Sequence, residues 1–210
     1  MTIRAVVFDM DGVLVDAREW HYEALNRALA HVGCAISRFD HLVTYDGLPT
    51  RDKLEMLTLE HGLPRSLHGF LNGLKQRYTM DIVATQCRPT FAHEYALSRL
   101  RHDGLRLAVA SNSVRPSVEA IMDKTALATH LEFTLSNEDV TRAKPDPEIY
   151  LQAIERLRLT PREVLVVEDN DKGVRAATTA GAHVLTVRGP GDVTYEAICA
   201  EMRFASGHAA

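Results

Sequence analysis

Short apolar runs recur along the chain at Ala5–Phe8, Leu105–Ala110, Glu132–Leu135, Val164–Val167 and His183–Val187. Helix-length stretches with a three-to-four-residue apolar period lie between most of them. Strands that are apolar throughout are covered on both faces, so this alternation predicts a parallel sheet flanked by helices. The interval from Gly12 to His102 departs from the pattern, because it holds helical signals and no convincing strand. Asp16-Ala17-Arg18-Glu19 has capping-box spacing, Tyr22, Leu25, Leu29 and Val32 mark one helical face, and Gly33 closes it. Further helices are predicted over Thr50–Glu60, Arg65–Tyr78 and Thr90–Arg101, with Gly47-Leu48-Pro49 and Gly62-Leu63-Pro64 as breaks. The expectation is an α/β core of residues 1–15 and 85–210 carrying a helical lobe, residues 16–84, inserted after the first strand. The tail Ser206–Ala210 is expected to fray.

Composition narrows the classes of function. A chain of 210 residues supports one full core with a smaller appended lobe. A net charge of −4 offers no extended basic surface to neutralise a phosphate backbone, which argues against nucleic acid as a partner. Cys34, Cys87 and Cys199 are far apart and lack metal-ligand spacing, so they read as small apolar residues in a reducing compartment. No apolar run approaches the ~20 residues of a membrane span, and Met1 leads into a strand with no signal peptide. A cytoplasmic protein with no membrane partner is expected, and a monomer.

The candidate chemistry sits just beyond the strands. In Val6-Val7-Phe8-Asp9-Met10-Asp11-Gly12-Val13 two carboxylates two residues apart leave a strand on one side, roughly 6–7 Å apart along the chain. The second strand ends at Ser111-Asn112-Ser113 before a helix with Pro116 in its first turn, an arrangement suited to an anion. Asn112 or Ser113 is expected to cap that helix. The third leads into Lys144-Pro145-Asp146-Pro147, where prolines stiffen a loop presenting one ammonium, and the fourth ends at Glu168-Asp169-Asn170. Open parallel sheets bind ligands at the carboxyl ends of their strands. Hard oxygens could there hold Mg²⁺ while a hydroxyl and a lysine grip a phosphate. An attacking carboxylate would then give an aspartyl phosphate, and a second carboxylate would move the protons.

Asp9-Met10-Asp11-Gly12-Val13-Leu14-Val15-Asp16, Ser111-Asn112, Lys144-Pro145, and Glu168-Asp169-Asn170 with Gly173 downstream together resemble the haloacid dehalogenase superfamily, in its phosphatase and β-phosphoglucomutase-like branch. The resemblance spans nearly the whole chain. It implies a Rossmann-like, doubly wound parallel sheet with an inserted α-helical C1 cap. It makes Asp9 the nucleophile and Asp11 the general acid/base. It assigns Asp9, the Asp11 carbonyl and Asp169 to Mg²⁺ with Glu168 in support, Ser111 and the Asn112 amide to the phosphoryl oxygens, and Lys144 to charge neutralisation. The dehalogenases themselves lack an aspartate at the second position, so Asp11 argues against carbon–halogen cleavage.

In the lobe, His21 resembles the cap-hinge histidine of β-phosphoglucomutases, and Gly47-Leu48-Pro49-Thr50-Arg51 resembles the cap loop that faces substrate, which makes Gly47 and Arg51 candidates. Arg51, Lys53, Lys75 and Arg77 read first as the solvent-facing charges of helices. The expected function is Mg²⁺-dependent hydrolysis of a small phosphorylated metabolite, sugar phosphates among the candidates. A sugar phosphomutase of the same branch is the first alternative. A receiver-like phospho-acceptor module that stores phosphate on aspartate is the second.

Overall fold

The computed structural model describes residues 2–207; positions 208–210 of the expected frayed tail lie outside the described residues. The chain divides into two compact units, one of Met1–Asp16 with Arg88–Ala210 and the other of Ala17–Cys87. The first unit carries a five-stranded sheet formed by β1 (Ala5–Phe8), β2 (Arg106–Ala110), β3 (Phe133–Leu135), β4 (Val164–Glu168) and β5 (His183–Thr186). All pairings are parallel, in the order β3-β2-β1-β4-β5, with Val7 opposite Ala108 on one side and Val166 on the other. This is a Rossmann-like α/β core, and its order reverses between β1 and β4, where such sheets leave a crevice.

The second unit is all helical among its described residues: α1 (Arg18–Ala30), α2 (Arg38–Asp40), a π-helical turn at His41–Tyr45, α3 (Thr50–His61) and α4 (His68–Gln86). Leu25, Leu29, Leu54, Leu57, Leu71 and Leu74 form its centre. Three local expectations need correction. The N-cap of α1 is Ala17, with no side-chain cap bond, in place of Asp16, and Glu19 is drawn instead to Arg38, 2.6 Å away. The helix expected to stop at Tyr78 runs on to Gln86, because Thr79, Ile82 and Val83 are buried and the Thr79 and Thr85 hydroxyls bond back to the carbonyls of Lys75 and Asp81. Lys53 and Lys75 are buried, not solvent-facing; Arg51 and Arg77 are exposed as expected.

The remaining helices, α5 (Phe91–His102), α6 (Arg115–Lys124), α7 (Glu148–Arg156), α8 (Asp171–Thr179) and α9 (Tyr195–Ala205), belong to the core unit. Alternate residues of the three central strands, Ala5 and Val7, Ala108 and Ala110, Val164 and Val166, pack against Ile149, Tyr150, Ala153 and Ile154 of α7 and Ala176 and Ala177 of α8. The opposite set, Val6, Phe8, Leu107, Val109, Leu165 and Val167, is buried as well, which is why these strands read as continuous apolar runs. Each such Val or Leu contributes about 1.5–3 kcal/mol by leaving water, so β1 is held rigidly enough to aim the residues that follow it. No helix among the described residues is long and apolar enough to cross a membrane. Among the described residues, Cys34, Cys87 and Cys199 form no disulfide.

Candidate active site

Each chemical group follows a strand whose position is fixed by the ladder. Asp9 continues β1, its N–H donating to Val167 O at 2.9 Å, and Ser111 continues β2, its N–H donating to Leu135 O at 3.0 Å. Glu168 is the last residue of β4, locked by Val187 N–H at 2.8 Å. Beyond Asp9 the chain turns tightly, with Leu14 N–H bonded to Met10 O at 2.9 Å and Gly12 N–H to Val15 O at 2.7 Å. Gly12 sits at φ +89, and a Cβ there would overlap the Asp169 carboxylate. Glycine is therefore required twice over, for its conformation and for the close approach of that carboxylate.

Lys144 ties the strand ends together. Its Nζ donates to Asp9 Oδ1 at 2.7 Å, to Glu168 Oε1 at 2.7 Å and to Ala110 O at 2.8 Å, which uses all three ammonium protons. The loop that carries it is fixed by Asn112, whose Oδ1 accepts the Lys144 N–H at 3.1 Å and whose Nδ2 donates to Lys144 O at 3.4 Å. The Asn112 side chain is thus committed to the lysine loop. Tyr150, from α7, donates its hydroxyl to Glu168 Oε1 at 2.5 Å and lays its ring 4.7 Å from Lys144 Nζ.

Asp11 is oriented separately. Its Oδ2 accepts the Ser113 hydroxyl at 2.7 Å, while the Ser111 Oγ accepts the Ser113 N–H at 3.0 Å. Ser113 was expected as an alternative helix cap; α6 instead begins after Val114 with no side-chain cap, and Ser113 serves the second aspartate. At β4 it is Asn170 that caps the following helix, accepting Gly173 N–H at 3.1 Å, so Glu168 and Asp169 are free of that duty.

The electrostatics are unbalanced toward negative charge. Burial pushes Asp9 well above the usual carboxylate range; Lys144 opposes this, and the charges of Glu168 and Asp11 add to it. For Lys144, burial acts to lower the ammonium pKa, but the carboxylates of Asp9 and Glu168 outweigh it and leave the pKa raised, so the lysine stays charged. Asp9, Glu168 and Asp169 each offer an oxygen within 4.8 Å of the others. Hard oxygens gathered around a single ammonium suit a small divalent cation, which would supply the positive charge the cluster lacks. Within this set Glu168 is the most engaged: Oε1 takes Lys144 and Tyr150, and Oε2 takes Asp169 N–H at 3.2 Å and Asn170 Nδ2 at 3.4 Å.

Such a constellation on such a sheet has counterparts. Residues 6–187 match the family profile of the haloacid dehalogenase-like hydrolases. The chain belongs to this family. In this member of it, a Rossmann-like core is joined to a helical unit. It is 30% identical over 182 residues, 85% of its length and 82% of the relative's, to the phosphorylated carbohydrates phosphatase of Thermotoga maritima. Its fold resembles β-phosphoglucomutase from Clostridium difficile, with a TM-score of 0.84 at 18% identity over 98% of this chain and 99% of that one. It also resembles CbbY from Rhodobacter sphaeroides, solved in complex with phosphate, with a TM-score of 0.81 at 23% identity over 89% and 87% of the two chains.

The three candidates of the cap belong to the helical unit. His21 lies on α1 with its Nδ1 3.2 Å from Lys75 Nζ. Gly47 adopts φ +69 just before α3, and Arg51, in the first turn of α3, is exposed and paired with Asp52 at 3.2 Å. The cap also buries His41, whose imidazole is lowered to about 4 by burial and then by the charge of Lys53. Tyr150 and Ser113 are the core residues whose site contacts the sequence concealed. Tyr150 falls on the apolar face of α7 and reads as core, while the short Ser-x-Ser spacing was the available signal for Ser113.

Proposed function

We propose that this hydrolase is a Mg²⁺-dependent phosphatase acting on a small phosphorylated metabolite through an aspartyl phosphate on Asp9. The observation that carries the reading is the Lys144 ammonium held at 2.7 Å from both Asp9 and Glu168, with Asp169 beside them. The kinship with a phosphorylated carbohydrates phosphatase supports it.

Mg²⁺, held by Asp9 and Asp169 with the Asp11 carbonyl and supported by Glu168, would supply the Lewis-acid charge that lets two anions meet. Lys144 keeps Asp9 in place and offsets charge on the phosphoryl oxygens, which the Ser111 hydroxyl and the Asn112 main-chain amide bind. An Asp9 carboxylate oxygen attacks phosphorus in line; the new O–P bond forms as the ester P–O bond breaks. Asp11, oriented by Ser113, gives its proton to the departing alcohol oxygen. The same carboxylate then takes a proton from water, whose oxygen attacks phosphorus, and inorganic phosphate leaves with Asp9 restored. A phosphomutase would return the phosphoryl group to a second hydroxyl of the sugar; the His21–Lys75 contact in the cap keeps that as the second reading. The likeness to a β-phosphoglucomutase concerns the fold alone.

The test is a panel of phosphorylated metabolites, sugar phosphates included, assayed for phosphate release with Mg²⁺ and with excess chelator. Release that stops with the chelator and returns with Mg²⁺ is expected. Sugar-phosphate isomerisation without phosphate release would replace the phosphatase with the mutase. Phosphate retained on Asp9 for many minutes, with no turnover of small phosphates, would point to the storage reading.

A further inference from the structure

We infer that Tyr150 is a positioning residue, acting through Glu168 to hold the Lys144 ammonium midway between its two carboxylates; its kinetic consequence rests on the phosphatase reading, its structural one does not. The face of α7 that packs on the sheet is Ile149, Tyr150, Ala153 and Ile154. Packing alone would be met by phenylalanine at position 150, so the hydroxyl needs a separate reason. It is wholly buried, and its partner is a charged carboxylate oxygen, the one that also receives Lys144.

Two donors on one oxygen divide its charge. With the phenol in place, Glu168 Oε1 attracts Lys144 less than an otherwise bare carboxylate oxygen would. The ammonium rests at 2.7 Å from Asp9 Oδ1 and 2.7 Å from Glu168 Oε1, not collapsed onto Glu168. The ring reinforces this by flanking Nζ at 4.7 Å. Removing only the hydroxyl therefore leaves Oε1 to Lys144 alone and draws the ammonium away from the nucleophile.

Tyr150→Phe removes that hydroxyl at nearly constant volume. The expected kinetic result is a kcat lower by about tenfold with KM for the best substrate of the panel within about twofold, because ground-state binding is not touched. Replacing Tyr150 by 4-aminophenylalanine, which restores a donor at the same place, should recover most of the rate. The readout independent of turnover is the ¹⁵N resonance of the Lys144 ammonium, identified by its loss in Lys144→Met; it should shift in Tyr150→Phe and return toward the wild-type position with the amino analogue. Should the wild type release no phosphate, the phosphatase reading fails and the resonance alone still decides the role of Tyr150. An unchanged ammonium resonance in Tyr150→Phe overturns the inference, and so does a rate loss that the amino analogue leaves in full.

Discussion

Gly173→Ala tests the packing of the site with a prediction of sign. At an ordinary position in a helix, replacing glycine by alanine stabilises by about 0.5–1 kcal/mol, because the unfolded chain loses freedom and the helix loses none. Gly173 lies in the first turn of α8, but a Cβ there would overlap the Glu168 carboxylate, closer than any van der Waals separation allows. Glu168 cannot swing aside cheaply. It is completely buried and holds Lys144 at 2.7 Å, Tyr150 at 2.5 Å and Asp169 N–H at 3.2 Å. Displacing it uncouples a buried ammonium from one of its two carboxylates, a loss of about 3–5 kcal/mol for such pairs. Setting the propensity gain against this leaves about 2–4 kcal/mol of destabilisation, or a melting temperature lower by about 4–16 °C for a chain of this size. Scanning calorimetry of both proteins at equal Mg²⁺ measures it, and phosphate release should fall together with the stability. A variant that melts at or above the wild type would mean that the Glu168 carboxylate is not seated against this helix turn.

Other expectations follow from the same geometry. Lys144→Met leaves Asp9 and Glu168 buried without their shared cation; urea unfolding should show about 3–5 kcal/mol of lost stability, and turnover should be absent. Glu163 accepts the Thr160 N–H and hydroxyl, each at 2.8 Å, and the Arg4 guanidinium at 3.1 Å, and these hold its carboxyl down to about 2. Between its ordinary value near 4.5 and that figure the unfolded chain binds the extra proton, so the stabilisation is complete above about 4.5 and fades as pH falls toward about 2. The gap in urea midpoint between wild type and Glu163→Gln should therefore be widest at neutral pH and shrink by pH 3. His41, lowered to about 4, is neutral in the fold while the unfolded chain protonates it near 6.5, so it destabilises the protein as pH falls through that interval. His41→Phe should flatten the wild-type decline in melting temperature over the same range.

Much of this was legible in the sequence, for identifiable reasons. Strands such as Val6-Val7-Phe8 and Leu165-Val166-Val167 are buried on both faces, so their apolar runs stand out whatever surrounds them. The polar groups beyond them are conspicuous because each interrupts such a run at its carboxyl end, as Asp9, Ser111 and Glu168 do. What the sequence concealed are contacts between residues that look ordinary singly. Tyr150 is indistinguishable from its apolar neighbours until its hydroxyl meets Glu168, and Ser113 is one of three small polar residues in a row. The cap was harder to read. The π-helical turn at His41–Tyr45 has neither helical nor strand periodicity, and the extension of α4 beyond Tyr78 depends on burial of β-branched residues that propensity disfavours. Lys53 and Lys75 misled because a lysine at helical spacing is ordinarily wet, and only tertiary structure buries it.

The most direct test of the account asks where the phosphoryl group goes. Enzyme mixed with its best phosphorylated substrate and Mg²⁺, quenched in acid within the first turnover and digested, should carry phosphate on the peptide containing Asp9. The same peptide from Asp9→Asn should carry none, and that variant should release no phosphate. Turnover by the wild type with Asp9 never phosphorylated, or by Asp9→Asn at the wild-type rate, would contradict the account.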